Sequence, residues 1–140
     1  MWRVVKAYLL YTWGGLHRYF GNQNNIPREH ERAVHYFTRA YDVNPAMHQA
    51  RLARAVILWR EMERIDEALA DFDALLQQDP NYGPALLNRA LIYQQVGKYK
   101  KALTDLQAYL DLPSDPEYHD LAERLEPLLN DLAQDHDSPK

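Results

Sequence analysis

Two histidines and a glutamate in the first third of the chain have side chains that could bind a metal ion. His30, Glu31 and His35 lie within one predicted helix. Zinc hydrolases place two histidines four residues apart, so that both face the metal from one side of a helix. The separation here is five residues, which places the two side chains about 140° apart around the helix axis. We therefore predict no metal site.

Other carboxylates and histidines have spacings that could suggest proton transfer. His119 and Glu123 lie four residues apart, which is the spacing of an exposed pair of side chains on one helix. Three more carboxylates alternate with apolar residues, a pattern typical of a helix whose acidic face is in water. We predict that these three are solvated: Asp66, Asp71 and Asp73.

Catalytic nucleophiles and phosphate-binding loops are not recognisable in the sequence. Gly97-Lys98-Tyr99 lacks the upstream glycine and the serine or threonine that a phosphate-binding loop requires. The two serines, Ser114 and Ser138, have no nearby histidine in a recognisable nucleophile arrangement. We predict a chain that is not an enzyme, without catalytic residues and without a cofactor.

The composition is that of one globular domain. The chain has 140 residues, of which 46% are apolar, enough for a hydrophobic core. Its net charge of −4 argues against non-specific binding to nucleic acid. Cysteine is absent, which excludes disulfides and fits a reducing compartment, so we expect a cytoplasmic protein.

Charge is distributed unevenly along the chain. The segment 1–28 contains four basic and no acidic side chains, whereas all 20 acidic side chains lie after it. An apolar run within this basic segment is interrupted by Lys6 and by Gly14-Gly15, and it is shorter than the roughly 20 residues that span a membrane. We predict a packed helix that begins near Trp2.

One pattern of residue types returns at a nearly constant distance along the chain. It appears three times with a period of about 34 residues, and each unit ends at a proline, the last of which comes one position early. Self-similarity at this period predicts stacked pairs of helices. The three sets are Ala33, Phe37, Ala40 and Pro45; Ala68, Phe72, Leu75 and Pro80; and Ala102, Leu106, Tyr109 and Pro113.

The third unit resembles a tetratricopeptide repeat (TPR). The first helix of such a repeat carries two large residues, a small one and an aromatic one, and the matching residues here are Leu86, Arg89, Ala90 and Tyr93. Arg89 departs from the usual leucine. The resemblance covers roughly residues 10–113. It implies an all-α fold, a right-handed α-α superhelix (a TPR-like solenoid) of three helix pairs plus a C-terminal capping helix.

The first and second units follow the same pattern with departures. His17 stands where the family has a small residue. Phe20 and Ala33 are four positions further apart than Tyr93 and Ala102 are in the third unit, so we expect four extra residues in a loop at 21–27. The first-helix residues are Trp13, Leu16, His17 and Phe20 in the first unit, and Leu52, Ala55, Val56 and Trp59 in the second.

We expect a single TPR-like domain over residues 1–133, with repeats at 1–45, 46–80 and 81–114, a capping helix at 115–133 and a disordered tail at 134–140. Pro127 is expected to kink the capping helix, because proline removes a backbone hydrogen bond. That helix carries one apolar stripe that would cover the last repeat: Tyr118, Leu121, Ala122, Leu125, Leu128, Leu129 and Leu132.

In this family the first helix of each pair lines a concave groove. One subfamily binds the C-terminal carboxylate of heat-shock chaperones through lysines, asparagines and an arginine, but the matching places here hold Gly14, Arg18, Arg54, Pro84 and Asn88. We therefore do not expect chaperone-tail binding. Carried over by position, the partner-binding residues are expected to be Tyr11, Arg18, Ala53, Arg54, Ile57, Arg60, Leu87, Asn88, Leu91 and Gln94.

The resemblance implies a non-catalytic scaffold or adaptor that binds a peptide or helix of a protein partner in this groove. Apolar packing in the middle and arginines at the margins would hold the partner. Nucleic acid is not an expected partner. Three alternatives stay open: a groove covered by the chain's own N-terminal helix, a homo-oligomer, and a membrane-proximal assembly factor that uses the basic, aromatic N-terminal helix.

Overall fold

The computed structural model describes residues 1–136, which form seven helices and no strand. Two compact units follow one another, one over residues 1–75 and one that begins at Leu76. The predicted all-α fold is therefore confirmed. The helices are α1 (Trp2–Asn24), α2 (Pro27–Val43), α3 (His48–Arg60), α4 (Ile65–Gln78), α5 (Gly83–Gln95), α6 (Tyr99–Leu110) and α7 (Pro116–Asp135).

The repeated residues of the second helices form the core of the fold, as their spacing predicted. The alanines Ala33, Ala68 and Ala102 are completely buried. The other members of each set that lie on the helices are at most 4% exposed: Phe37, Ala40, Phe72, Leu75, Leu106 and Tyr109. Burial of the same places in α2, α4 and α6 confirms that the repeat period is structural.

In the first unit, α1 and α2 pack along each other in opposite directions. A Cβ atom added at Gly21 would lie 2.6 Å from the ring of His30, and one added at Gly14 would lie 2.7 Å from the ring of Phe37. Ala7 is also fully buried. These three small residues recur every seven positions, so they lie on one face of α1, and α2 approaches along that face.

The register predicted for α1 is wrong. Trp13, Leu16 and Phe20 were expected to hold the large and aromatic places of the first helix in the repeat pattern, but each is at least 44% exposed. The small-residue place, which the pattern gave to His17, is held in the structure by Gly14, which is buried against Phe37 of α2. The error has a physical cause: apolar residues occupy more than half of the circumference of α1, so its hydrophobic pattern does not select a single buried face.

The expected loop at 21–27 is also much shorter in the structure. Helix α1 continues to Asn24 and ends at Asn25, whose φ of 49° is left-handed. Ile26 is extended, and Pro27 begins α2 in the first turn, where a proline is well tolerated. The extra residues therefore lengthen the helix pair instead of forming a loop.

In the second unit, α7 packs against α6 with only part of its apolar stripe. Ala122, Leu129 and Ala133 are buried. Leu125 is half-buried, and four other large side chains of the stripe stay exposed to water: Tyr118, Leu121, Leu128 and Leu132. The helix starts at Pro116, where the Asp115 carboxylate accepts a hydrogen bond from the Glu117 backbone N–H over 3.0 Å.

The end of the chain differs from the prediction where it is described. Residues 134 and 135 belong to α7, so they are helical and not disordered as expected. The last four residues of the expected tail lie outside the described range. Pro127 lies inside α7, and the kink expected there stays a prediction. Within residues 1–136, no helix combines the length and the apolarity needed to cross a membrane.

The close approach at Gly14 predicts opposite effects for two neighbouring glycines. A Cβ atom at Gly14 would overlap the buried Phe37 ring, and overpacking of this kind costs up to about 3 kcal/mol. That cost exceeds the gain of about 1 kcal/mol in helix propensity. We expect Gly14→Ala to lower the free energy of unfolding by about 2 kcal/mol, measured by urea denaturation.

Gly15→Ala is the matched control. Nothing lies within 4 Å of a Cβ atom at Gly15, so only the propensity gain remains, and stability should rise by about 0.5–1 kcal/mol. Equal effects of the two substitutions would contradict the packing of α1 described above.

Candidate partner-binding surface

The centre of the predicted groove is filled in the first unit. Ile57 is completely buried and Ala53 is 9% exposed, and both belong to a core cluster with Ala33 and Phe37. Tyr11 packs against this cluster, and its ring lies 5.7 Å from that of Phe37. Ile57 and Ala53 are therefore core residues that a partner does not reach, and Tyr11 helps to cover them.

Arg54, which was expected to pair with acids of a partner, is already paired within the chain. Its guanidinium donates to both oxygens of the Asp71 carboxylate, with the Nε–Oδ2 distance at 2.8 Å. It also donates to Thr38 Oγ1 over 2.9 Å. The bond to Asp71 raises the pKa of Arg54, so its charge is permanent.

Asp71 corrects a second expectation. Only 5% of Asp71 is exposed, although Asp66 and Asp73 are in water as predicted. A carboxylate this deeply buried needs a charged partner, and Arg54 supplies it. Arg51 adds a further cation, with its Nε 3.4 Å from Asp71 Oδ1.

The other two arginines of the predicted groove remain accessible. Arg18 is partly exposed and Arg60 is exposed. The Arg60 guanidinium lies 5.0 Å from the centre of the Trp59 ring, within range of a cation–π contact.

In the second unit, three of the four predicted residues on α5 reach the surface. Leu87 is 7% exposed and belongs to the core. Asn88, Leu91 and Gln94 are partly exposed, and their spacing of three residues places them along one side of the helix. Asn88 is anchored by a 2.7 Å bond from its side-chain nitrogen to the backbone oxygen of Pro84. This short surface carries one apolar side chain between two amides.

A second buried ion pair holds α5 to α6. Arg89 Nε donates to Asp105 Oδ2, and Arg89 Nη2 donates to Asp105 Oδ1, both over 2.7 Å. Asp105 is 5% exposed. Arg89, which replaces the usual leucine of the family, thus forms the ion pair that a buried carboxylate requires.

The two ion pairs were not predicted, although the sequence contains their signal. Asp71 and Asp105 each come three positions after one of the repeated alanines, and Arg54 and Arg89 are likewise one repeat apart. A charged pair that follows the period of the core is more consistent with a structural role than with a solvated face.

The first helix pair has an aromatic stack and a hydrogen bond between a histidine and a carboxylate instead. Tyr36 occupies the position in the first repeat that Asp71 occupies in the second. Its ring stacks on that of His17, with 5.3 Å between ring centres and 4° between ring planes. His17 Nδ1 lies 2.6 Å from Glu29 Oε2. This hydrogen bond, together with Arg32, holds the pKa of Glu29 below its ordinary value.

The candidate chemical groups of the sequence are not brought together into a metal site. His30 is buried and lies 2.9 Å from Asn22 Oδ1, whereas His35 is exposed. In the part of the chain that the structure describes, no three histidine or carboxylate side chains are arranged to hold a metal ion.

One contact resembles a catalytic arrangement that the sequence did not reveal. Ser114 Oγ lies 3.0 Å from His119 Nδ1, and His119 Nε2 lies 3.5 Å from Glu123 Oε1. The Glu123 side chain is 63% exposed, and 3.5 Å is long for a hydrogen bond that orients a base. Water competes for that carboxylate, so we interpret the three residues as contacts at the start of α7.

Comparison with known families explains this architecture. Two family models described as Tetratricopeptide repeat match the chain, one over residues 57–126 and one over residues 28–83. The chain belongs to the tetratricopeptide repeat family. The repeated core positions and the helix pairs are those of TPR units.

The chain spans only a small part of the length of the curated relatives that it matches. Sperm-associated antigen 1 of Mus musculus is 33% identical over 105 residues, which are 74% of this chain and 11% of that protein. A UPF0162 protein of Xylella fastidiosa is 34% identical over 99 residues, which are 67% of this chain and 35% of that protein.

Solved TPR structures share the fold. The Arabidopsis OM64 TPR domain has a TM-score of 0.73 at 21% identity and covers 90% of this chain and 98% of its own. The first TPR of Spaghetti (RPAP3), bound to the HSP90 peptide SRMEEVD, has a TM-score of 0.71 at 21% identity and covers 95% and 94%. At this identity the likeness shows the fold alone.

The internal pairing of Arg54 predicts a stability role for Asp71. Asp71→Ala would leave a partly buried guanidinium without its main counter-ion, which typically costs about 3–5 kcal/mol. We expect the free energy of unfolding to fall by about this amount in urea denaturation.

Asp120→Ala serves as the control. Asp120 is paired with Arg124 over 2.6 Å on the exposed side of α7, and such pairs contribute about 0.5 kcal/mol or less. If Asp71→Ala lowered the free energy of unfolding no more than Asp120→Ala does, the ion pair between Arg54 and Asp71 would not stabilise the fold.

Proposed function

We propose that the chain is a non-catalytic protein-interaction module that binds a peptide or helix of a protein partner. The observation that carries the proposal is the accessible side of α5, where Leu91 lies between Asn88 and Gln94. An apolar side chain supplies contact area, and amide side chains can both donate to and accept from a peptide backbone.

The structural neighbours support a peptide as the partner. Two similar structures, the first TPR of Spaghetti (RPAP3) and the second TPR domain of human RPAP3, hold bound HSP90 and HSP70 peptides, respectively. The HSP90 and HSP70 peptides are ligands of the RPAP3 domains. What we take from them is the kind of ligand, a short peptide segment, and not its sequence.

The proposed surface is smaller than the groove expected from the sequence. Ile57, Ala53 and Leu87 are buried, and Arg54 is paired internally. We propose that a partner contacts only those residues of the predicted groove that are accessible in each unit. These are Tyr11, Arg18 and Arg60 in the first unit, and Asn88, Leu91 and Gln94 in the second. The arginines can pair with acidic residues of the partner.

Panning of a displayed random-peptide library on the full chain tests this proposal. We expect enriched peptides whose affinity falls roughly 10- to 100-fold in Leu91→Asp, because the substitution removes the burial of one leucine side chain, about 1.5–3 kcal/mol. Binding is measured by fluorescence anisotropy, and circular dichroism checks that the variant is folded.

Thr104→Asp is the matched control, since Thr104 is exposed on α6 and lies outside the proposed surface. Its affinity for the same peptides should equal that of the wild type. No enrichment, or equal binding by Leu91→Asp, would contradict a peptide site on α5.

The chaperone peptide itself is expected not to bind. Places that hold cations and asparagines in the carboxylate-binding subfamily hold Gly14, Pro84 and the internally paired Arg54 here, and Gly14 is buried against Phe37. A titration of the full chain with the peptide SRMEEVD should show no saturable binding. Saturable binding that depends on the terminal carboxylate would overturn this expectation.

A further inference from the structure

Helix α1 presents a wide apolar face to water. Nine of its large apolar side chains are between 44% and 75% exposed. At about 100° per residue they cover about half of the helix circumference. They are Trp2, Val4, Val5, Tyr8, Leu9, Trp13, Leu16, Tyr19 and Phe20. We refer to these nine residues as the α1 outer face.

Positive charge borders the α1 outer face. Helix α1 contains Arg3, Lys6 and Arg18 and no acidic residue, so its net charge is +3. At about 100° per residue, Lys6 lies next to one edge of the α1 outer face and Arg18 lies next to the opposite edge. Large apolar patches that are rimmed by polar groups mark interaction sites on soluble proteins.

Helix α7 also presents apolar side chains to water, but among acidic ones. The unburied side of its stripe is between 39% and 59% exposed. The helix holds six carboxylates and one arginine, so its net charge is −5. We refer to its exposed apolar residues as the α7 outer face: Tyr118, Leu121, Leu128 and Leu132.

We propose that the α1 outer face of one copy of this chain packs against the α7 outer face of a second copy. Each face is apolar in the middle, so contact removes both from water. Their surroundings carry opposite charge, +3 against −5, which steers the two faces together and disfavours contact between like faces.

A second copy accounts for more of the structure than an anionic membrane does. An anionic membrane would attract the basic α1 outer face, but it would repel the carboxylates of α7. A second copy covers both faces with one type of contact. The interface is heterologous, because each copy contributes a different patch to each contact.

Sedimentation of the full chain over a series of concentrations tests the proposal. The wild type should form assemblies of two or more copies whose population rises with concentration. Leu9→Asp and Leu128→Asp each place a carboxylate in one outer face, and each variant alone should raise the dissociation constant by about tenfold or more.

Mixing the two variants gives the decisive measurement. Leu9→Asp keeps an intact α7 outer face and Leu128→Asp keeps an intact α1 outer face, so an equimolar mixture should form hetero-assemblies that neither variant forms alone. Ile26→Asp is the control, because Ile26 is 40% exposed and lies outside both faces; it should assemble like the wild type. Circular dichroism confirms that all variants are folded.

Several outcomes would overturn the proposal. A wild type that stays monomeric at all concentrations does so directly. Assembly that is lost in Leu9→Asp and kept in Leu128→Asp would indicate contact between two α1 faces. Flotation of a monomeric wild type with anionic liposomes, lost in Leu9→Asp, would indicate a membrane. Leu91→Asp should assemble normally, so failure of the peptide site and failure of this interface are distinguishable.

Discussion

Each helix pair in this chain depends on the close approach of two helices at a small buried residue. Ala33, Ala68 and Ala102 are completely buried on the second helices, and Gly14 serves the same purpose on α1, where even a Cβ atom would meet the ring of Phe37. Close approach lets the large side chains one turn away fill the space between helices at the density of a protein interior.

That close approach also determines where charge can be placed. Asp71 and Asp105 are buried, and each is tolerated because an arginine of the preceding helix reaches it with two hydrogen bonds. The guanidiniums of Arg54 and Arg89 are therefore occupied inside the fold. The surfaces that we propose for recognition are therefore the accessible members of the predicted groove and the outer faces of α1 and α7.

The sequence predicted α2 and α6 well, and α1 poorly, for one physical reason. In the second helices the apolar residues form a narrow stripe that repeats in register, so only one face can be buried. Helix α1 is apolar around most of its circumference, and Trp13 and Leu16 looked as suitable for the core as Leu10. The small residue Gly14 decided the register, because only its side of the helix admits α2 closely.

The sequence by itself determined the all-α class, the repeat period and the buried residues of the second helices. These depend on local periodicity, which is visible in each repeat separately. Only the tertiary structure decided that Ile57 is core, that Arg54 belongs to Asp71, and that Trp13 and Leu128 face water. The environment of each of these side chains depends on which neighbouring helix covers it. The spacing of residues within one helix does not say which other helix packs against it.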